Sequence, residues 1–276
     1  MALRARIMTA LVAAPVAVAL ILWLPGPLFA AVGMLLMAVA LYEWNNLTTR
    51  STAAFSLTVL GVLLLGVAVH LLGNAAAVPA NPSSLLLGVC LAGCLLWLWQ
   101  WRVLVRGLSL RRSPGLEMAV GAGAMYCAWA GLVWLRGSDV NGPEVVLVAV
   151  MVVWAADVFA YLAGNLAGRH KLAPEISPGK TIEGVIGGLA GALATAWAGA
   201  WILVPLAPGQ MLPWLLAAAA AALASVIGDL SVSRLKRQAG VKDSGRLLPG
   251  HGGLLDRFDG LLAAMPVFGS LWWLLR

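Results

Sequence analysis

The chain has 276 residues, of which 62% are hydrophobic and 11% are charged, and its formal net charge is +7. Soluble globular proteins carry roughly 25% charged residues, so this composition excludes an ordinary soluble domain. Apolar runs of about 20 residues, the length that crosses the hydrocarbon core of a bilayer, recur along the whole chain. The composition therefore predicts a single integral membrane domain, residues 1–276, that crosses the bilayer several times.

Nine apolar segments are predicted to cross the membrane as helices, so the expected fold class is all-α, a polytopic membrane helix bundle. The first segment follows a basic start, as the apolar core of a signal peptide does. A second apolar run follows directly after residues 25–27, and we therefore interpret the first as a retained span. The predicted spans are residues 7–24, 28–44, 53–73, 84–101, 117–135, 144–166, 182–206, 212–229 and 260–275.

The distribution of basic residues predicts the orientation of the bundle. With a cytoplasmic N-terminus, the cytoplasmic segments hold 16 of the 18 Lys and Arg residues, and Arg136 and Arg276 remain outside. This agrees with the positive-inside rule and predicts an external C-terminus. Attraction to anionic lipids of the bilayer accounts for the basic segment 102–116. Nucleic acid is not expected as a partner, because the basic residues follow the membrane topology. The predicted cytoplasmic segments are 1–6, 45–52, 102–116, 167–181 and 230–259.

The sixth predicted span contains an aspartate deep in an apolar helix. Asp157, Tyr161 and Asn165 are spaced i, i+4, i+8 and share one helix face. An aspartate at the centre of a membrane helix costs ~2.5–3.5 kcal/mol, so Asp157 is expected to face the bundle interior or a water-filled cavity. The alternative is a structural hydrogen bond between helices.

The sequence SPGKT at residues 177–181 lies just before the seventh predicted span. It resembles part of a phosphate-binding loop, although the full G-x-x-x-x-G-K-[ST] spacing is absent. Backbone N–H groups at a helix start attract anions, and Lys180 adds a full positive charge. The segment therefore predicts an anion site that includes Ser177, Lys180 and Thr181. The alternative is a Pro-Gly turn followed by a lysine that extends to the membrane surface.

The most polar part of the chain lies just before the last predicted span. Residues 242–260 contain three aspartates, three basic residues, one histidine and five glycines in nineteen positions. Upstream, Asp229, Ser233 and Arg237 are spaced i, i+4, i+8 on the end of the eighth helix. Asp256 and Asp259 would share a face if the ninth helix begins before them.

Carboxylates without cysteine or clustered histidine predict a hard divalent cation, Mg²⁺ before Zn²⁺. The surrounding basic residues are too numerous to act only as partners of three aspartates, and the glycines allow backbone to approach a ligand. These features predict that the ligand is a metal-bound polyphosphate. The alternative is a solvated, highly charged loop. The basic residues are Lys236, Arg237, Lys242, Arg246 and Arg257.

The sequence SRLKRQAGVKDSGRLLPGHGGLLDRFD at residues 233–259 resembles the signature of the phosphatidate cytidylyltransferase (CDP-diacylglycerol synthase) family. The sequences at 228–230 and 177–184 and the helix with Asp157 and Tyr161 are also similar to this family, whereas the N-terminal half resembles it by hydropathy alone. Many relatives have Glu at position 232 and Ser at 260, where this chain has Val232 and Gly260. The matched positions are Ser233, Lys236, Arg237, Lys242, Asp243, Pro249, His251, Gly252, Gly253, Asp256, Arg257 and Asp259.

The resemblance implies the transfer of a cytidylyl group from CTP to phosphatidate, which gives CDP-diacylglycerol and pyrophosphate in phospholipid synthesis. It implies Mg²⁺ as cofactor, leaves a second cation and a homodimer open, and places a catalytic signature at residues 228–260. The expected location is the inner (cytoplasmic) membrane of a bacterium, with the active site on the cytoplasmic side.

The family pattern also assigns roles to residues of this chain. Catalytic roles are implied for Asp229, Asp256, Lys242, His251 and Arg257, and metal binding for Asp229, Asp256 and Asp259. Substrate binding is implied for Ser177, Lys180, Thr181, Ser233, Lys236, Arg237, Asp243, Gly252, Gly253, Asp157 and Tyr161.

Two other functions share some of these sequence features. A CDP-alcohol phosphotransferase also joins metal, nucleotide and lipid, but its D-G-x2-A-R…G-x3-D-x3-D motif is absent from this sequence. A secondary transporter could also place Asp157 and Asp229 inside a bundle. Inverted repeats or paired broken helices would favour a transporter, and the sequence contains neither pattern.

Overall fold

The computed structural model describes residues 2–75, 84–106, 112–137, 141–247 and 252–276, with backbone alone for 2–10, 67–75 and 84. Within these ranges the chain forms nine helices and one two-stranded hairpin. The helices are α1 (Ala2–Trp23), α2 (Gly26–Leu47), α3 (Thr52–Ala75), α4 (Ser84–Val105), α5 (Pro114–Gly137), α6 (Gly142–Ala167), α7 (Ile182–Ile202), α8 (Met211–Gln238) and α9 (Leu255–Leu275), and the strands are β1 (Lys171–Ala173) and β2 (Ser177–Thr181).

Seven of these helices, α2 and α4–α9, are long and apolar enough to cross a membrane by the residues described. The described apolar parts of α1 and α3 are shorter, Leu11–Trp23 and Thr52–Gly66. The chain is therefore a polytopic helical membrane protein, as predicted from its composition, while nine crossings stay a prediction. Because α9 begins at Leu255, Asp256 and Asp259 lie one helical turn apart, as the sequence analysis required.

The all-α prediction is confirmed for the described residues, apart from a short hairpin between α6 and α7. The chain reverses at residues 174–176, and β1 pairs with β2 in the antiparallel sense. Residues 177–181 thus form a strand that leads into α7, and the anion site predicted for this segment stays a prediction. The pairing satisfies backbone groups between two apolar helices, for example through the hydrogen bond from Ile182 N to His170 O at 2.9 Å.

Two close helix crossings bring the polar parts of the chain together. A Cβ atom added to Gly188 on α7 would lie 2.6 Å from the carbonyl oxygen of Ala156 on α6. A Cβ atom added to Gly228 on α8 would lie 2.3 Å from the carbonyl oxygen of Asp259 on α9. Small residues at such crossings let the backbones of membrane helices touch. The crossings therefore hold α6 against α7 and α8 against α9.

The two basic residues expected outside the cytoplasmic face have structural partners. The Arg136 guanidinium donates hydrogen bonds to the carbonyl oxygens of Ile21 and Leu24 at the end of α1. The Arg276 guanidinium lies 5.9 Å from the ring centre of Trp134. Arg136 thus satisfies carbonyl groups that a helix end leaves unpaired.

A buried cluster of charged residues joins α5 to α8 and to the segment before α5. The Glu117 carboxylate accepts hydrogen bonds of 2.7 Å from Arg234 Nη2 and from both Arg112 Nε and Nη2. Arg112 Nη1 also donates to Gln100 Oε1 on α4 at 2.8 Å. The side chains of Glu117, Arg112 and Arg234 are only 6%, 6% and 1% exposed. Arg112 is therefore part of the protein core and does not contribute to the predicted attraction of segment 102–116 to anionic lipids, whereas Arg102 and Arg106 are exposed.

Candidate active site

An open cavity of about 390 Å³ lies between α6, β2, α7 and α8. Three polar regions that are far apart in the sequence line this cavity. Asp157 faces the cavity, in agreement with the expectation for a charged residue in this span. The polar lining of the cavity consists of Asp157, Tyr161 and Asn165 from α6, Ser177, Lys180 and Thr181 from the hairpin, and Ser225 and Asp229 from α8.

The centre of the cavity is an ion pair between the hairpin and α8. Lys180 Nζ lies 2.5 Å from Asp229 Oδ2, and each side chain is about a quarter exposed. Ser233, one turn further along α8, donates its hydroxyl to Asp229 Oδ1 at 3.1 Å. The Asp157 carboxylate interacts electrostatically with both Asp229 and Lys180 and also with Arg257. The cavity thus combines a partly exposed cation with two carboxylates.

Thr181 holds the beginning of α7 in place. Its hydroxyl oxygen accepts a hydrogen bond of 3.0 Å from Gly184 N, so Thr181 is the N-cap residue of α7. An N-cap of this kind fixes the direction in which the chain enters a helix. Through it, the strand that carries Ser177 and Lys180 is fixed relative to α7.

A second set of polar contacts surrounds Asp256 in the first turn of α9. Lys236 Nζ donates to Asp256 Oδ1 at 2.7 Å. Ser244 N and Gly253 N donate to Asp256 Oδ2 at 2.8 and 3.0 Å. Gly252 has a φ of +82°, and a Cβ atom there would lie 2.8 Å from Asp256 Oδ2, so this position needs glycine. The glycines of the signature let the backbone wrap around this carboxylate.

The two sets of contacts meet along adjacent faces of α8 and α9. Asp229, Ser233 and Lys236 follow one face of α8, and Lys236 contacts Asp256. Asp259, partly buried one turn beyond Asp256, interacts electrostatically with Asp229, Asp157 and Lys236. The carboxylates predicted to bind metal therefore belong to one polar region, although Asp229 lines the cavity and Asp256 does not.

Four further predicted site residues, Arg237, Lys242, Asp243 and Arg257, do not line the cavity. Arg237 donates to the carbonyl oxygens of Ile176 and Val241, each at 3.4 Å, and so links the hairpin turn to the end of α8. Lys242, Asp243 and Arg257 are exposed to solvent. His251 and Pro249 lie outside the described residues.

The donors in this region are carboxylate oxygens, which are the ligands that Mg²⁺ prefers. Among the side chains that the structure describes, no group of three or more His, Cys, Asp or Glu residues is already gathered as a metal site. Lysine ammonium groups lie against Asp229 and Asp256 instead. The donor chemistry fits Mg²⁺, provided that the lysines move away when the ion binds.

Glu43, near the end of α2, contacts the signature and was not predicted from the sequence. Its carboxylate accepts hydrogen bonds from Ser244, Leu254 and Leu255. The signal that could have found it is an acidic residue within an apolar span, which usually has a polar partner inside the bundle.

Comparison with known proteins agrees with the resemblance of the signature. The chain matches the cytidylyltransferase family over residues 4–275. It is 40% identical to a phosphatidate cytidylyltransferase of Pseudomonas aeruginosa, over 98% of this chain and 97% of the relative. It is 37% identical to one of Brucella abortus, over 98% and 94%, and 43% identical to one of Staphylococcus aureus, over 59% and 62%. The chain belongs to the cytidylyltransferase family, among the phosphatidate cytidylyltransferases.

Proposed function

We propose that this chain transfers the cytidylyl group of CTP to phosphatidate, giving CDP-diacylglycerol and pyrophosphate. The full-length similarity to phosphatidate cytidylyltransferases supports the reaction. The observation that carries the site is the cavity in which Lys180 and Asp229 meet among otherwise apolar helices. A lipid phosphate held at the membrane surface and a soluble nucleotide can both reach such an open cavity. The site belongs to one integral membrane domain, to which residues 228–260 contribute the signature.

Positioning and charge neutralisation account for the chemistry. A phosphatidate oxygen attacks the α-phosphorus of CTP in line, and pyrophosphate leaves. The attacking phosphate is already largely ionised at neutral pH, so little help from a general base is needed. Lys180, Lys236 and Arg237 offer positive charge to the phosphates, with Ser177 and Ser233 as hydrogen-bond donors. These terms dominate catalysis in phosphoryl transfer.

A Mg²⁺ ion at this site would neutralise charge on the phosphates when bound. Asp229, Asp256 and Asp259 would hold this ion. The proposal does not fix whether a second cation binds. Lys180 and Lys236 balance two of these carboxylates in the structure. With the ion bound, each lysine would be available to hold a substrate phosphate.

We infer that this reaction occurs at the cytoplasmic face of a bacterial inner membrane, and the predicted orientation of the bundle supports this location. The predicted topology gathers 16 of the 18 basic residues on the side that carries the hairpin and the signature. Reporter fusions check this arrangement. A reporter after Leu247 should read as cytoplasmic and one after Arg276 as external. A cytoplasmic signal at Arg276 would mean that the number of crossings is even.

The exposed basic residues of the signature are expected to contact substrate phosphates. Lys242→Ala and Arg257→Ala should each raise the KM for CTP or lower kcat by about tenfold, the loss of one charge-assisted hydrogen bond. The amount of folded protein should not change, because both side chains are exposed. Steady-state kinetics with CTP and with phosphatidate measure this. Arg50→Ala, at an exposed turn between α2 and α3, is the control. Normal kinetics in both signature variants would remove these residues from the site.

A pyrophosphate-release assay on purified protein tests the function itself. Each of the four nucleoside triphosphates is supplied with and without phosphatidate in detergent. Release is expected with CTP only when phosphatidate is present, and at most weakly with the other nucleotides. Binding of CTP without any release of pyrophosphate would instead indicate a binding or transport protein.

A further inference from the structure

Glu43 is a buried carboxylate in α2 that contacts the signature from the N-terminal half of the chain. Its side chain is 3% exposed. Oε2 accepts hydrogen bonds of 2.8 Å from Ser244 Oγ and Leu255 N, and Oε1 accepts one of 3.0 Å from Leu254 N. The donors are 201 to 212 positions away in the sequence. We call Ser244 and Gly253–Leu255 together the α9 entry.

The beginning of α9 depends on this carboxylate. A helix leaves its first N–H groups without partners inside the helix, and an N-cap side chain usually accepts one of them. The N-cap of α9 is Leu254, whose side chain has no acceptor atom. Glu43, which lies on α2, acts as the capping residue of α9 instead. Its carboxylate accepts hydrogen bonds from Leu254 N and Leu255 N. Its negative charge also lies at the positive end of the helix dipole.

The α9 entry fits closely around the Glu43 carboxylate. A Cβ atom added to Gly253 would lie 2.2 Å from Glu43 Oε2, and one added to Gly245 would lie 2.4 Å from Glu43 Oε1. Either side chain would collide with the carboxylate. The Glu43 carboxylate therefore occupies the space that a side chain would need at both positions, together with the Ser244 hydroxyl at Gly253.

The same entry also holds Asp256. Ser244 donates its hydroxyl to Glu43 and its backbone N–H to Asp256 Oδ2, each at 2.8 Å. Gly253 N donates to Asp256 Oδ2 at 3.0 Å. Glu43 and Asp256 thus both accept hydrogen bonds from the α9 entry. A shift of the entry away from Glu43 would move the backbone donors that fix the Asp256 carboxylate.

We propose that Glu43 is a positioning residue of the reaction, which sets the α9 entry and through it the orientation of Asp256. Glu43 is buried, and its carboxylate accepts three hydrogen bonds from the α9 entry. It therefore acts through Asp256 and not on the substrate. The proposal rests on the proposed function only for the role of Asp256 in the reaction. The contact itself can be measured without any substrate.

Glu43→Gln is the first test, because it keeps the size of the side chain. The glutamine amide has one oxygen that accepts hydrogen bonds and one NH₂ group that does not. Its NH₂ group must face either Leu254 N or the pair Ser244 Oγ and Leu255 N. At least one of these donors therefore loses its acceptor. Hydrogen exchange, followed by mass spectrometry, should become about tenfold faster in peptides that contain Ser244 or Leu254–Leu255. Exchange in α6 and α7 should stay unchanged. Glu144→Gln, in the first turn of α6, is the matched control.

Kinetics separate positioning from stability. The kcat of folded Glu43→Gln should fall by about 100-fold, as displacements of about 1 Å can cause, with little change in the KM for CTP. Combining it with Asp256→Asn should cost little beyond Asp256→Asn alone, because both act on the same carboxylate. Normal exchange at the α9 entry, a wild-type kcat, or losses that multiply fully in the double variant would each overturn the proposal.

Ser244→Ala keeps the test decisive if Glu43→Gln does not fold. It removes one of the three hydrogen bonds to Glu43 without creating a clash. Exchange at Leu254–Leu255 should then rise by a smaller factor, and kcat should fall less. Unchanged exchange in Ser244→Ala would contradict the proposal. If the wild-type protein makes no CDP-diacylglycerol, the proposed function fails, whereas the exchange result still decides whether Glu43 holds the α9 entry.

Discussion

Asp229→Asn is expected to lower turnover by roughly 100- to 1,000-fold while the protein stays folded in the membrane. Asparagine keeps the size of the side chain and its hydrogen bond from Ser233, but it removes the charge that a divalent ion needs. The Mg²⁺ concentration that gives half-maximal activity should rise. Kinetics over a Mg²⁺ series, together with the melting temperature in detergent, measure both effects.

Lys180→Met distinguishes the metal proposal from a simple salt bridge. If Asp229 serves only as the partner of Lys180, both variants should lose stability by similar amounts and need the same Mg²⁺ concentration. If Asp229 binds the ion, only Asp229→Asn should shift the Mg²⁺ requirement, while Lys180→Met should impair the use of substrate. Near-normal turnover and unchanged Mg²⁺ dependence in Asp229→Asn would contradict the metal proposal.

Glu117→Gln is expected to have the largest effect on stability, about 3–5 kcal/mol of the free energy of unfolding. The substitution leaves the Arg112 and Arg234 guanidinium groups buried without their shared carboxylate. Breaking a buried ion pair costs more than the pair contributes, because an uncompensated charge remains. Unfolding by heat or denaturant in detergent measures the loss, with exposed Glu175→Gln as control.

Replacing all three members of the cluster with apolar residues is the matched test. Arg112→Met, Glu117→Leu and Arg234→Met together leave no charge within this cluster and should recover much of the stability lost in Glu117→Gln. A loss below about 1 kcal/mol in Glu117→Gln would mean that water reaches these side chains, as at a surface salt bridge.

Hydropathy and charge predicted the helical membrane class because bilayer crossing imposes a length and a composition on each segment. The convergence of Asp157, Lys180 and Asp229 on one cavity agrees with the expectation that polar groups in apolar helices face inward. The hairpin was missed because strands of three and five residues, one containing Pro178 and Gly179, have too little alternation to detect.

The individual ion pairs could not be predicted from sequence. The carboxylates were predicted to bind a metal and the basic residues to bind phosphates, whereas the structure pairs Lys180 with Asp229 and Lys236 with Asp256. Which residues pair depends on where the helices cross. The spacing of residues within one segment does not predict where that segment crosses another. The contacts of Glu43 and Glu117 were not predicted for the same reason. Each is a single acidic residue near the end of a span, and its partners are far away in the sequence.

Transfer of label from CTP to lipid tests the central claim most directly. Purified protein is incubated with phosphatidate, Mg²⁺ and CTP labelled with ³²P at either the α- or the γ-phosphorus, and the lipid fraction is counted. Cytidylyl transfer predicts that the α-label enters the lipid and that the γ-label appears only in pyrophosphate. Label from the γ-phosphorus in the lipid, or no lipid label from either form of CTP, would contradict the account.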